Sequence, residues 1–210
     1  RNDGRGVFKF EPLPRLAQIA PSHGLALTDV DADGNLDLLL AQNSYNAQRE
    51  TGRMDGGAGL LLMGTRKGSF VPAWPNQSGV IVAAHARSLA TCDLNGDGWV
   101  DFVVGVNNGE IHAFENAIPK TNRLLQLKLQ GQGGNPTAVG ARVTVHLKGG
   151  GSRTAEMHAG SGYLSQSDST LRIGLGPTGE VDRVEVRWPR GKASIHKVPF
   201  QGNPVLLREE

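Results

Sequence analysis

Two stretches of alternating oxygen-bearing residues, 29–37 and 93–101, constrain this chain more than any other feature. Asp29, Asp31, Asp33 and Asp37 stand at relative positions 1, 3, 5 and 9 of the first stretch. Asp93, Asn95, Asp97 and Asp101 stand at the same positions of the second, and Gly34 and Gly98 both hold position 6. Carboxylates crowded into one tight turn repel one another, and a hard cation removes that repulsion. Glycine lets the backbone reverse sharply enough for alternate side chains to converge. The residue at position 7, Asn35 or Trp99, is placed to offer a backbone carbonyl, which leaves its side chain free to vary. An all-oxygen set of this kind, completed by water, suits Ca²⁺, whose flexible shell takes about six to eight oxygens, better than Mg²⁺, which keeps more of its water. One calcium ion per loop is therefore expected, held by Asp29, Asp31, Asp33, Asn35 and Asp37 in the first and by Asp93, Asn95, Asp97, Trp99 and Asp101 in the second. The expected role is structural, because donors spent on the ion leave none poised as a base.

These loops are not EF-hands. That motif closes with a bidentate Glu at position 12, where this chain has Leu40 and Val104, and it needs flanking helices. Both loops are instead flanked by short runs rich in Val and Leu, residues 25–30 and 36–41 around the first, 89–92 and 100–106 around the second, with a further run at 81–84. Such runs, bounded by Gly and Asn, predict buried strands. The two loops lie 64 residues apart, and Gly6-Val-Phe8 and Gly68-Ser-Phe70 repeat with a shift of 62. Two anchors at nearly one period predict a structural repeat of roughly four strands, as in propeller blades. Asn107-Asn108-Gly109 predicts a hairpin turn with its positive φ on the glycine, leading into a strand over 110–114. After the first loop that hairpin gives way to a long polar stretch, 43–57, the best candidate for a surface recognition loop. Because two blades cannot close a ring, and because Asn2 to Phe8 resembles the tail of a preceding repeat, the chain is expected to be part of a longer propeller.

Beyond about residue 118 the pattern changes. Segments 124–129, 141–147, 153–159, 171–175, 181–188 and 194–198 alternate apolar and polar residues, most cleanly at Val143/Val145/Leu147 and Val184/Val186/Trp188. Period 2 with Gly- and Pro-rich connections predicts half-buried antiparallel strands. The expected fold class is thus all-β: two propeller-like blades over 1–118, then an antiparallel β-sandwich or small barrel over 119–210. Composition agrees: 29 of 210 residues are Gly, about twice average usage. Residues 1–120 carry 10 Lys/Arg against 13 Asp/Glu, and residues 121–210 carry 12 against 7. The basic excess is dispersed along strands rather than clustered, which argues against nucleic acid as a partner. No run approaches the ~18 apolar residues of a membrane span, so no membrane insertion is expected, and residues 1–20 are no signal peptide. Cys92, the single cysteine, cannot form an internal disulfide and reads as a small buried residue.

The loops and their order now permit a resemblance. Asp-x-Asp-x-Asp-Gly-x-x-Asp and Asp-x-Asn-x-Asp-Gly-x-x-Asp resemble the FG-GAP/VCBS-type calcium repeats of propellers, nearer to VCBS because the Phe-Gly and Gly-Ala-Pro signatures are missing. Gly140-Ala-Arg-Val143, Gly160-Ser-Gly-Tyr-Leu-Ser-Gln166, Gly174-Leu-Gly176, Val181-Asp182 and Val186-Arg-Trp-Pro-Arg-Gly191 resemble the ASPIC/UnbV domain, which commonly follows such repeats. The resemblance implies an extracellular, cell-surface or periplasmic location and a binding or adhesion role without catalysis.

Enzyme chemistry finds little support in the residues. The six His are scattered, with no zincin spacing, and Gly160-Ser161-Gly162 is not a nucleophile elbow. Asp182 and Glu185 face opposite sides of a strand, which argues against a glycosidase pair. A calcium-dependent module binding an extracellular protein, a glycan-binding module, and an accessory domain of a larger secreted enzyme remain open. The glycan alternative needs an exposed platform among Tyr45, Trp74, Trp99, Tyr163 and Trp188.

Overall fold

The computed structural model describes residues 1–45, 48–198 and 204–210. Its first half contains two small sheets. One runs in order β1 (Ser22–Thr28), β2 (Asp37–Gln42), β3 (Leu60–Gly64), β4 (Phe70–Ala73), antiparallel throughout. The other runs β5 (Ala86–Cys92), β6 (Asp101–Val106), β7 (His112–Phe114). A single helical turn, α1 (Pro75–Ser78), lies between them. Each residue of β2 is buried, which is why its sequence is a continuous apolar run rather than an alternating one.

The repeat extends to pairing detail. Thr28 faces Asp37 in the first sheet and Cys92 faces Asp101 in the second, so each loop closes a β-hairpin at the same register. Each hairpin also carries a bulge at its far end, between Ser22 and Gly24 and between Ala86 and Ser88. The leading strands of the sheets pack together so closely that a Cβ at Gly24 would stand 2.8 Å from the Leu89 nitrogen. Leu39, Ala41, Leu61, Val82, Leu89, Phe102 and Val104 form the shared core. Leu38, Leu40, Leu60 and Leu62 bury the other face of the first sheet under Leu13, Leu16 and Ala17.

Three expectations need correction here. The second unit has three strands among the described residues, not four. Residues 81–84 are not a ladder strand; they are tied in by Val82 N–H donating to the Ala58 carbonyl. In the 107–109 turn the left-handed residue is Asn108 at φ 56°, not Gly109, as asparagine tolerates that conformation.

The second half is a two-sheet sandwich. One sheet runs β10 (Ser152–Glu156), β9 (Arg142–Leu147), β12 (Val181–Arg187), β13 (Ala193–His196). The other runs β11 (Thr170–Gly176), β8 (Arg123–Gln130), β14 (Val205–Arg208). Val143, Val145, Val184 and Val186 are fully buried between the sheets with Leu125, Leu127, Ile173 and Trp188, so the period-2 pattern is the core. The β8–β14 pair is parallel, an exception to the antiparallel expectation, and β14 carries no alternation strong enough to announce it. The strand expected over 153–159 ends at Glu156, where the chain turns into the Gly160 loop.

Candidate metal centre

Each Asp loop is wound around its own carboxylates. In the first, Asp29 accepts hydrogen bonds from the Asp33 and Gly34 amides (3.1 and 2.9 Å), and Asp31 accepts from Asp33 N–H at 3.1 Å. Asp37 accepts from Val30 N–H at 2.8 Å and from Gly64 N–H on β3 at 2.7 Å. The second loop repeats the arrangement. Asp93 accepts from Gly96 and Gly98 (2.8 and 2.9 Å), Asn95 from Asp97, and Asp101 from Leu94 N–H at 2.8 Å and Asn116 N–H at 2.7 Å. The tight winding requires positive φ at positions 4 and 6: Ala32 at 58° and Gly34 at 91°, Gly96 at 77° and Gly98 at 86°. Ala32 holds a left-handed conformation that alanine adopts only under constraint, and it is fully buried.

The first loop brings its donors together. Carboxylate oxygens of Asp29, Asp31 and Asp37 lie within 4.8 Å of one another. Two oxygens each about 2.4 Å from a common ion lie at most about 4.8 Å apart, so this spacing fits one calcium. Asp29 and Asp37 are 5% and 1% exposed. Burial, opposed by the Gly34 amide and reinforced by the neighbouring charges of Asp37, Asp31 and Asp33, pushes Asp29 up to about 7. Burial likewise raises Asp37 to about 6, against the Gly64 and Val30 amides. Two carboxyls held this far above their ordinary range are ones that a cation at this point would ionise. Asp33 stands outside the converging trio, its oxygens taken by the Asn35 amide and side chain, each at 2.7 Å.

The second loop is more open. Asn95 and Asp97 are exposed, and among the described residues Asp93, Asp97 and Asp101 form no converging trio. Asp97 is instead drawn to the Lys120 ammonium. Desolvation at Asp97 is outweighed by hydrogen bonds from Lys120 and the Trp99 amide, which hold its carboxyl below the usual range. Trp99, whose identity the loop pattern leaves open, is 7% exposed and packs with Ala32 and Leu124. Sequence reasoning missed this because the contact joins the blades to the sandwich.

Both loops press against that sandwich. Gly176 N–H donates to the Ala32 carbonyl at 2.9 Å and Asn122 Nδ2 to the Asp31 carbonyl at 2.9 Å. A Cβ at Gly174 would lie 1.9 Å from Asp29 Oδ2, so only glycine admits this approach. Arg172, in a bidentate pair with Asp168 (2.8 and 2.7 Å), donates from Nε to the Gly98 carbonyl at 3.1 Å. Asn116 ties the loops to each other, its N–H on Asp101 and its Nδ2 on the Val30 carbonyl at 2.7 Å.

The remaining sequence candidates divide. Trp188 is 2% exposed and donates to Ser194, so with Trp99 it is lost as a platform, leaving Tyr45, Trp74 and Tyr163. Cys92 is half-buried, and burial, followed by the Asp168 and Asp101 charges, raises its thiol. Asn46 and Ala47 of the 43–57 stretch lie outside the described residues. The ends of that stretch are tied: Asn43 Nδ2 donates to the Gly57 carbonyl and Gly57 N–H to Asn43 Oδ1. Two of the scattered histidines, His23 and His85, meet with ring centroids 6.5 Å apart.

The fold and the loops define an all-β protein in which Asp-loop hairpins carry a sandwich. Residues 85–114, spanning β5 to β7 and the second loop, match the family model described as FG-GAP repeat, and residues 131–209 match the one described as ASPIC and UnbV. The chain thus carries an FG-GAP repeat followed by an ASPIC/UnbV domain. No curated protein gives a significant match to the chain. No helix among the described residues is long and apolar enough to cross a membrane.

Proposed function

We propose that this chain is a secreted or surface-exposed, calcium-stabilised binding module without catalytic activity, in which the metal loops fasten the sandwich to the blades. The observation that carries the proposal is the convergence of Asp29, Asp31 and Asp37 within 4.8 Å, in a loop whose hydrogen bonding recurs at Asp93 and Asp101. Calcium would be held in the first loop by those three carboxylates, and by Asp33 and the Asn35 carbonyl if the Asp33–Asn35 hydrogen bonds open to admit the ion. In the second it would be held by Asp93, Asn95, Asp97, Asp101 and the Trp99 carbonyl. The ion would supply charge compensation for buried carboxylates, and hence rigidity, rather than Lewis-acid chemistry. The FG-GAP and ASPIC/UnbV matches support an extracellular setting, where calcium is plentiful and a protein or glycan partner is available.

Thermal unfolding in calcium, in magnesium and in chelator tests the proposal. Calcium at about 100 times its dissociation constant should stabilise the fold by roughly 2.7 kcal/mol, with magnesium giving less. Equal melting in calcium and chelator would overturn it.

A further inference from the structure

The two sheets of the first half share one register, and the register shows what the second sheet lacks. Phe102 faces Phe114 as Leu38 faces Leu62, and Asn116 N–H donates to Asp101 Oδ1 as Gly64 N–H does to Asp37 Oδ1. β7 is therefore the counterpart of β3. On its far side β3 pairs with β4, Leu61 with Ala73 and Met63 with Val71. The matching residues Ala113 and Glu115 have no strand beyond them among the described residues. Both are exposed, nearby Ile111 is 71% exposed, and no main-chain hydrogen bond runs outward from this edge. An unpaired edge of this kind is a template for another strand.

The chain contains a second segment written like β4. Gly6-Val-Phe8 repeats Gly68-Ser-Phe70, the entry to β4, and continues as Phe8-Lys9-Phe10-Glu11 with an alternating pattern. Phe8 and Phe10 are 76% and 87% exposed. Laid on β7 in the register of β4, Lys9 falls opposite Glu115, Phe10 opposite Phe114 and Glu11 opposite Ala113. Lys9 then meets a carboxylate that has no ionic partner among the described residues. Phe10 comes onto the stacked Phe102 and Phe114 rings, beside an apolar cleft of about 560 Å³ whose other wall includes Met63 and Ala73. Phe8 takes the place that Phe70 holds in the first sheet.

The segment cannot reach that edge within its own chain. Leu13, Leu16 and Ala17 hold it over the Leu38 and Leu40 face of the first sheet, whereas the second sheet packs on the opposite, Leu39 and Leu61 face. Arg1 also ties it to the β3–β4 turn, donating from Nη1 to the Lys67 carbonyl at 2.9 Å. We propose that residues 6–11 of one copy of this chain add as a fourth strand to β7 of a second copy. Main-chain hydrogen bonds supply the affinity, and the Lys9–Glu115 pair with the Phe10 contact sets the register. The contact joins two different surfaces, so it builds rings or open chains rather than two-fold dimers. It uses no metal-binding side chain, so it stands or falls apart from the calcium proposal.

Sedimentation velocity of the full chain over a rising concentration series, at constant calcium, tests the contact. The mass should grow with concentration and stay monomeric in Phe10→Asp. Lys9→Glu sets like charges opposite each other and should weaken association about fivefold or more. Adding Glu115→Lys to Lys9→Glu should restore it. All three side chains are exposed, and an unchanged melting temperature checks that each variant folds. A wild-type chain that stays monomeric throughout, association that persists in Phe10→Asp, or a double charge reversal that restores nothing would overturn the proposal.

Discussion

Asp29 and Asp37 are carboxyls that the fold has taken out of water before any metal is considered. The folded chain holds the Asp29 proton up to about pH 7, against an ordinary value of 3.8. Its stabilising contribution is therefore fully present below about pH 3.8 and lost as pH rises through about 7; Asp37 follows the same sign, with loss through about 6. Metal-free protein should accordingly melt at falling temperature between about pH 4 and pH 7, while the increment added by calcium grows over the same interval, as scanning calorimetry in chelator and in calcium will show. Asp37→Asn should remove the calcium increment of the first loop. It should also cost about 1–3 kcal/mol without metal, because one of the Val30 and Gly64 amides loses its acceptor. In the second loop Lys120 competes for Asp97. Lys120→Met should tighten calcium binding there by up to about fivefold, the scale of a half-exposed ion pair.

At the scale of the element, each hairpin delivers its loop at a fixed register, with Thr28 opposite Asp37 and Cys92 opposite Asp101. The loops, their flanking strands and the repeat were legible in the sequence, because the spacing of the Asp residues and the apolar runs beside them are local signals, whereas the pairing register was not. The period-2 valines likewise located the sandwich core before any contact was known. The remainder depends on approaches between distant segments. Nothing local marks Gly174 as the residue that lies on Asp29, or Trp99 as a core side chain, since both follow from how the sandwich docks. The His23 and His85 pairing escaped for a related reason: the residues are far apart in sequence, and only the packing of β1 against β5 brings them together. Gly174→Ala should test the docking contact, since its methyl cannot fit beside Asp29 Oδ2. A loss of about 1–3 kcal/mol is expected, with calcium affinity weakened in the first loop and not in the second.

In the whole molecule the two halves meet at the Asp loops, through Gly176 on Ala32, Asn122 on Asp31 and Arg172 on Gly98. Calcium is thereby expected to act on the docking of the sandwich as well as on each blade. Chelation should expose the 115–122 connection to proteases and enlarge the molecule in small-angle scattering, while the sandwich core stays folded. The central claim is that the loops are calcium sites, and calorimetric titration of calcium into chelator-stripped protein tests it most directly. Two sites are predicted, the tighter one lost in Asp37→Asn and the weaker one strengthened in Lys120→Met. No heat of binding, or binding that survives loss of both Asp37 and Asp101, would contradict it.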